Sequence, residues 1–368
     1  MPKGSSLINE PNNHPYITVS NMNNNFEDLN TYQYVPTEIY SQIKNYIVDC
    51  DDLIISVAGT LGLVKKVPKC LDKANLTENA NRISEIKIDI DYLQYYLNTK
   101  IIQNRILAVQ TNNAQPKLAL KEIRNFKINY PPIEEQKKVS KFLSLIDSKI
   151  QLLEKKHENY LNFKKYLMQQ IFAQKLRFDF NDDWQDHTFK ELLIEVNEKT
   201  TVNNQHEILS STKEGIFTQK EYFANRNVAS KDNTGYKILR KNQIVLSPQN
   251  LWMGNINVNT EFEIGIVSPS YKIYETTDLI EIDYFKHIIK LPRLIYEYKC
   301  ASEQGASIVR RNLNKQLFDE ITISIPSLKE QQKIGNMLTL IDKKITETSK
   351  QIDESKEFKK GLLQQMFV

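Results

Sequence analysis

Cysteine is nearly absent: three residues (Cys50, Cys70 and Cys300) in a chain of 368, odd in number and far apart. Such a set excludes a disulfide framework and suits a reducing compartment, so a cytoplasmic protein is expected. No run approaches the roughly 18 apolar residues that span a bilayer. Residues 1–10 lack the charged-then-apolar pattern of an export signal. Glycine is scarce as well, with ten residues, and neither a Gly-x-x-x-x-Gly-Lys phosphate loop nor a Gly-x-Gly-x-x-Gly turn occurs. The five histidines are scattered, none at metal-ligand spacing, so no metal site is expected. Glu85-Ile86-Lys87 has half of a nuclease motif, but the chain contains no Pro-Asp to complete a Mg²⁺ site. A net charge of +4 makes no strong field of one sign, so any nucleic-acid surface must be local. Catalysis by this chain is not expected.

What is present is a duplication. Residues 131–172 lie over residues 326–367 without a gap at an offset of 195, with 18 identities in 42 positions. Weaker likeness continues upstream. "DLIISVAGTLGLVKKV" (52–67) resembles "QIVLSPQNLWMGNINV" (243–258), and "IDIDYLQYYLN" (88–98) resembles "IEIDYFKHIIK" (280–290). The chain is too long for one average core. It therefore divides into a variable block (1–130), a helix (131–176), a second variable block (177–325) and a second helix (326–368). The blocks alternate β-branched strands with Asn/Gly/Pro turns and hold helices over 92–107 and 284–298. An α+β fold follows: two domains with small twisted sheets, joined by two long helices in a pseudo-two-fold repeat.

In the helical segments apolar residues recur at heptad spacing. Val139, Leu143, Ile146, Ile150 and Leu153 begin the first series, and Ile334, Leu338, Ile341 and Ile345 the second. That spacing predicts an antiparallel coiled-coil seam. Gln136 and Gln331, in the shared Glu-Gln pair, are assigned to the same seam and to subunit docking. Pro131, Pro132 and Pro326 mark the entry to each helix. Asn129-Tyr130-Pro131-Pro132 has letters of the adenine-methyltransferase loop in the wrong order, and the second copy lacks the Asn and Tyr. The prolines are helix punctuation.

Two unlike blocks on a repeated frame suggest two recognition surfaces. Basic side chains suit phosphates, and Asn, Gln and Arg suit base edges. The DNA-binding candidates in the first block are Asn23, Asn24, Lys65, Lys66, Arg82, Gln115 and Lys117. In the second they are Arg226, Lys231, Asn250, Trp252, Arg310, Arg311 and Asn312.

Two diverged blocks, each closed by "PPIEEQKKV…LIDSKI…LMQQIF" or "IPSLKEQQKI…LIDKKI…LLQQMF", resemble the specificity (S) subunit of type I restriction–modification systems. The resemblance implies two target-recognition domains, each reading one half of a bipartite asymmetric DNA site. It implies paired helices that set the spacing and dock two modification (methyltransferase) subunits, with restriction (translocase and nuclease) subunits joining them. S-adenosylmethionine, ATP and Mg²⁺ would sit on those partners, and the whole complex would be an adenine-N6 methyltransferase and ATP-dependent endonuclease. One departure stands out: "FDFNDDWQDHTFKELLIEV" (178–196) opens the second half, and nothing similar precedes Phe26. The opening element of the first domain is therefore expected to be short. Without the resemblance, a coiled-coil adaptor that binds no DNA fits the same heptads.

Overall fold

The structure is a computed structural model that describes residues 4–26, 31–110, 116–223, 232–304 and 311–367. It divides into two compact units, one of Met1–Lys156 with Thr348–Val368 and one of His157–Glu347. Both are α+β, as expected.

The first unit is built on Leu53–Ser56, flanked antiparallel by Val64–Lys66 and Ala80–Ile83. The run Leu-Ile-Ile is buried on both faces of this strand. Successive side chains point to opposite faces. Ile54 joins a core with Ile17, Met22 and Val48, whereas Leu53 and Ile55 join one with Leu93, Ile102 and Ile106. A smaller sheet of Gln33–Tyr34, Pro15–Ile17 and Asn75–Leu76 lies on the first of these cores.

The second unit repeats the plan with a longer sheet. Its order is Ile256–Val258, Ile244–Leu246, Lys272–Thr276 and Leu193–Val196, all antiparallel. Ile244 and Leu246 enter one core and Val245 another. This is the alternation of Leu53, Ile55 and Ile54 transposed by 191 positions. Gln185–Thr188 pairs antiparallel with Thr322–Ile325, the strand that leads into the second long helix.

The helices expected over 92–107 and 284–298 are each two helices. The first breaks into Ile90–Leu97 and Lys100–Val109, and the second into Ile282–Ile288 and Pro292–Cys300. Asn98 ends one helix with its side chain turned back onto Gln94 O. Pro292 starts the other at the first-turn position, where its missing N–H costs nothing.

The long helices run Ile133–Phe172 and Leu328–Met366, about 60 Å each at 1.5 Å per residue. Within the first unit Leu143, Ile146 and Ile150 are buried against Phe367, with Val139, Leu362 and Met366 beside them. Leu153 is half-buried. Within the second unit Ile334 and Leu338 are buried with Leu167 and Ile171, while Ile341 and Ile345 are half-buried. Each unit therefore holds an antiparallel pair of helix halves.

Gln136 and Gln331 stand apart from this seam. The Gln136 side chain accepts from Asp89 N (2.8 Å) and donates to Pro131 O (2.7 Å). Gln331 accepts from Glu281 N (2.9 Å) and donates to Pro326 O (2.9 Å) and Leu279 O (3.1 Å). Both amides are buried and satisfy backbone groups at the start of a helix pair. They strap each block to its own long helix.

Candidate nucleic-acid interface

Four candidates of the second block converge. The segment between Ile244–Leu246 and Ile256–Val258 winds through a short helix, Leu251–Met253, closed by Gly254 in the left-handed region at φ +84°. A Cβ at Gly254 would also lie 2.8 Å from Ile295 Cδ1, so any side chain here would be strained by the backbone and would displace Ile295. Asn250 N and Asn250 O hold the turn, to Ser247 O (3.1 Å) and from Met253 N (3.0 Å). Trp252 is presented beside it. Arg311, on a strand paired with Ser302–Gln304, places its guanidinium 4.6 Å from the centre of the Trp252 ring. Its backbone N–H donates to Gln249 O (3.2 Å). Arg311 Nε is buried with no hydrogen-bond partner among the described residues. Asn312, the neighbour of Arg311, is exposed. A polar, aromatic and cationic set is thus assembled from stretches about 60 residues apart.

Next to this turn lies a polar network whose Asn255, Asn257, Ser211 and Thr212 are buried and whose lysines are exposed. Asn255 donates to Ser211 O (2.9 Å), and Asn257 donates to Ser211 Oγ (2.7 Å) and Thr212 O (2.8 Å). Lys290 Nζ reaches Asn257 Oδ1 (2.6 Å) and Lys213 O (2.8 Å). Burial holds the Lys290 amine below its ordinary range. Sequence reasoning missed these residues, because the buried Asn255 and Asn257 look like surface residues until their partners are known.

In the first block Asn23 and Asn24 are exposed at the end of Val19–Asn23, a turn of helix fixed by the Thr18–Asn21 capping box. Asn25 accepts a hydrogen bond from Lys65. Lys66 pairs with Asp91 at 2.9 Å. Lys117 is exposed and bridges to Ala58. Arg82 is committed elsewhere: it reaches Asp49 (2.7 Å), the buried Asp52 (2.6 Å) and Ile47 O (2.9 Å). These contacts hold the exposed guanidinium over the turn of residues 49–52. Gln115, Arg226, Lys231 and Arg310 lie outside the described residues.

A cleft of ≈ 790 Å³ opens within the first unit beside Asn25, Lys65 and Lys66. Lys100, Lys356, Lys359 and Lys360 also line it, against two carboxylates, Asp147 and Glu154. Lys66, Lys356, Lys359 and Lys360 pair with Asp91, Glu154, Asp147 and Glu357, and six amines against these four carboxylates leave a modest local excess of positive charge, which phosphates favour. The long-helix lysines were invisible as a group in the sequence, since about 290 positions separate them from Lys65. In the second unit an apolar cleft of ≈ 610 Å³ is lined by Leu161, Met168, Phe172, Trp184, Ile288 and Leu291 among others. Trp184 Nε1 is buried there without a partner among the described residues. No group of three or more His, Cys, Asp or Glu residues suits a metal ion among the described residues. No helix among them is long and apolar enough to cross a membrane.

The repeat also carries a matched triad. Tyr95 donates to Asp147 (2.8 Å), which pairs with Lys359 (2.5 Å). His287, 192 positions after Tyr95, lies 3.6 Å from Asp342, which pairs with Lys164 (2.5 Å).

Comparison with known proteins matches this duplicated plan. A family model described as the type I restriction modification DNA specificity domain matches residues 1–162 and again 181–355. The EcoBI type I restriction enzyme specificity subunit of Escherichia coli is 26% identical over 170 residues, 46% of this chain and 36% of that protein. The putative MjaX specificity subunit of Methanocaldococcus jannaschii is 28% identical over 141 residues, 38% and 32% of the two chains. The chain thus spans about a third of the length of the curated relatives it matches. Among solved structures, the type I restriction–modification S subunit from M. genitalium superposes with a TM-score of 0.59 at 16% identity, covering 100% of this chain and 92% of that one. A chain from a type I system studied for complex assembly and conformational transition gives 0.53 at 15% identity, covering 96% and 91%. These likenesses are of fold. With both halves matched by the same family model, the chain belongs to the type I restriction modification DNA specificity domain family.

Proposed function

We propose that this chain is the DNA-specificity subunit of a type I restriction–modification complex, and that each of its two units reads one half of a bipartite asymmetric site. The observation that carries this reading is the double family match, one per half, over two units built on the same strand, turn and helix-pair plan. In the second unit, Arg311 stacked on Trp252 beside Asn250 and Asn312 is a set suited to base edges. In the first, Lys65, Lys66 and the lysines of the adjoining helix suit the phosphate backbone.

The chain itself is non-catalytic. The paired long helices set the spacer between half-sites, and with the apolar cleft they dock two modification subunits. Those subunits bind S-adenosylmethionine and methylate adenine N6. Restriction subunits bind ATP and Mg²⁺, translocate and cut. The complex works on cytoplasmic DNA.

The test is to assemble the chain with its modification partner and profile methylated sites in a host genome. Substituting Arg311 or Trp252 should alter one half of the methylated sequence and leave the other half and the spacer intact. A complex that methylates the same complete site after both substitutions, or that binds DNA with no sequence preference, would overturn the reading.

A further inference from the structure

In both units the same position ties the helix pair to the strand that follows the glycine turn. "IDIDYLQYYLN" lies over "IEIDYFKHIIK", which sets Asn98 over Lys290. Asn98 ends the helix Ile90–Leu97 and donates to Val64 O (3.2 Å), in the strand after Gly62. Lys290 stands between Ile282–Ile288 and Pro292–Cys300 and donates to Asn257 Oδ1 (2.6 Å), in the strand after Gly254. The position is kept, while the residue type and its reach differ.

The longer lysine gathers two segments. Its amine also donates to Lys213 O (2.8 Å), in the turn between Leu209–Ser211 and Ile216–Thr218. An ammonium carries three donors and no acceptor, so one amine can join two carbonyl groups from separate segments. From Asn257 a relay runs to the turn that carries Trp252. Asn257 donates to Ser211 Oγ (2.7 Å), Ser211 Oγ donates to Asn255 Oδ1 (2.8 Å), and Asn255 N donates to Asn250 O (3.3 Å). Four hydrogen bonds thus lead from Lys290 to the backbone of the turn. Asn257, Ser211 and Asn255 are buried, where such bonds strengthen and an unmet partner is costly. Arg311 is fastened to the same turn, by its N–H on Gln249 O and by its guanidinium on the Trp252 ring. A displacement of the turn therefore moves Trp252 and Arg311 together.

We infer that Lys290 is a positioning residue for base readout, which holds the turn 250–254 in place through the relay of Asn257, Ser211 and Asn255 and contacts no base itself. The inference rests on the proposed reading of one half-site by the second unit, and deepens it. The Lys290 amine is engaged by two acceptors of the protein. Base readout needs a held turn, because a hydrogen bond to a base edge weakens steeply once its distance or angle slips.

The test uses the full chain assembled with its modification partner, and duplexes in which each base pair of either half-site is changed in turn. Lys290→Met removes the amine and should lower the ratio of matched to mismatched affinity about tenfold in one half-site, the scale of a misplaced base contact. That half is the one that Arg311→Ala relaxes, and the other half should be unchanged. Lys290→Arg should recover most of the ratio. Asn257→Asp keeps the acceptor for Lys290, removes both donations to residues 211 and 212, and should lower the same ratio. Added to Arg311→Ala, Lys290→Met should cost little more, since both act on one contact. The chain has two tryptophans, so 15N-labelled tryptophan gives two indole signals. Without DNA, the Trp252 signal should move in Lys290→Met and return in Lys290→Arg. An equal loss of affinity for every duplex would make Lys290 a phosphate contact and overturn the positioning role. Unchanged ratios in a folded Lys290→Met chain, a loss shared by both half-sites, or no recovery in Lys290→Arg would overturn it as well. Unchanged ratios in Arg311→Ala would sink the reading by Arg311 and this role with it, which separates that failure from a failure at Lys290 alone.

Discussion

Lys164 Nζ lies 2.5 Å from Asp342 Oδ1, and the residues 195 positions from each, Lys359 and Asp147, make the same 2.5 Å contact with the helices exchanged. Each lysine sits at a heptad position that an apolar residue would normally take. Burying an unpaired amine there would be costly, and the facing aspartate removes that cost. The third member of each triad comes from the globular block, Tyr95 in one unit and His287 in the other.

Lys164→Met should destabilise the second unit by about 1 kcal/mol, a modest value because the Asp342 carboxylate is 40% exposed and screened by solvent. Lys359→Met should do the same in the first unit. The two losses should add in urea unfolding, since the pairs share no partner. A charge exchange, Lys164→Asp with Asp342→Lys, should recover most of the loss.

His287 gives the second unit a pH dependence. Burial first, then the nearby Lys164 and Lys286 amines, outweigh the Asp342 carboxylate and push the imidazole down to about 4. The folded state therefore holds His287 neutral while the unfolded chain takes up a proton near its ordinary value of about 6.5. The contribution is fully present above pH 6.5 and is lost as pH falls from there toward 4, reaching about 3 kcal/mol at full extent. His287→Gln should flatten that part of the stability curve, read by denaturant midpoints from pH 7.5 to 4.5.

Gly335 and Gly361 lie on the same helix and should respond oppositely to alanine. A Cβ at Gly335 would sit 2.9 Å from Asp283 C and Tyr284 N, backbone atoms of the helix Ile282–Ile288. Gly335→Ala should cost about 1–3 kcal/mol through forced separation. Nothing lies within 4 Å of a Cβ at Gly361, so Gly361→Ala should stabilise by up to about 1 kcal/mol through helix propensity. Thermal unfolding of the two variants checks both signs.

Arg311 and Lys360 should separate readout from positioning in the assembled complex. Arg311→Ala should relax discrimination at one or two base pairs by about 1–3 kcal/mol. Lys360→Ala, in the basic cleft of the first unit, should weaken all sequences alike and lower the salt slope by about one. Titrations over a salt series on matched and mismatched duplexes distinguish the two patterns.

Much of this is written locally in the chain. A 42-residue repeat with heptad spacing can only be a pair of like helices, because periodicity survives without knowledge of partners. The buried run Leu53-Ile54-Ile55 and its counterpart Ile244-Val245-Leu246 follow from β-branched and apolar residues between turns. Gly62 and Gly254 each stand two residues before the next strand of their block, and both adopt positive φ beside an isoleucine, Ile106 or Ile295.

Other features required the tertiary structure, because their partners are remote. That Arg82 pairs with Asp49 and Asp52 could not be read from the chain, where they lie about 30 positions away. Gln136 looks like a seam residue until Asp89 N is found to need an acceptor. The basic cleft joins Lys65 to lysines near the end of the chain, and Arg311 gains its meaning from Trp252, 59 positions earlier. Sequence alone determined the elements and their duplication, since propensity and period act over a few residues. Only the fold decided which charges face each other, because Coulomb and hydrogen-bond partners are fixed by proximity in space and not along the chain.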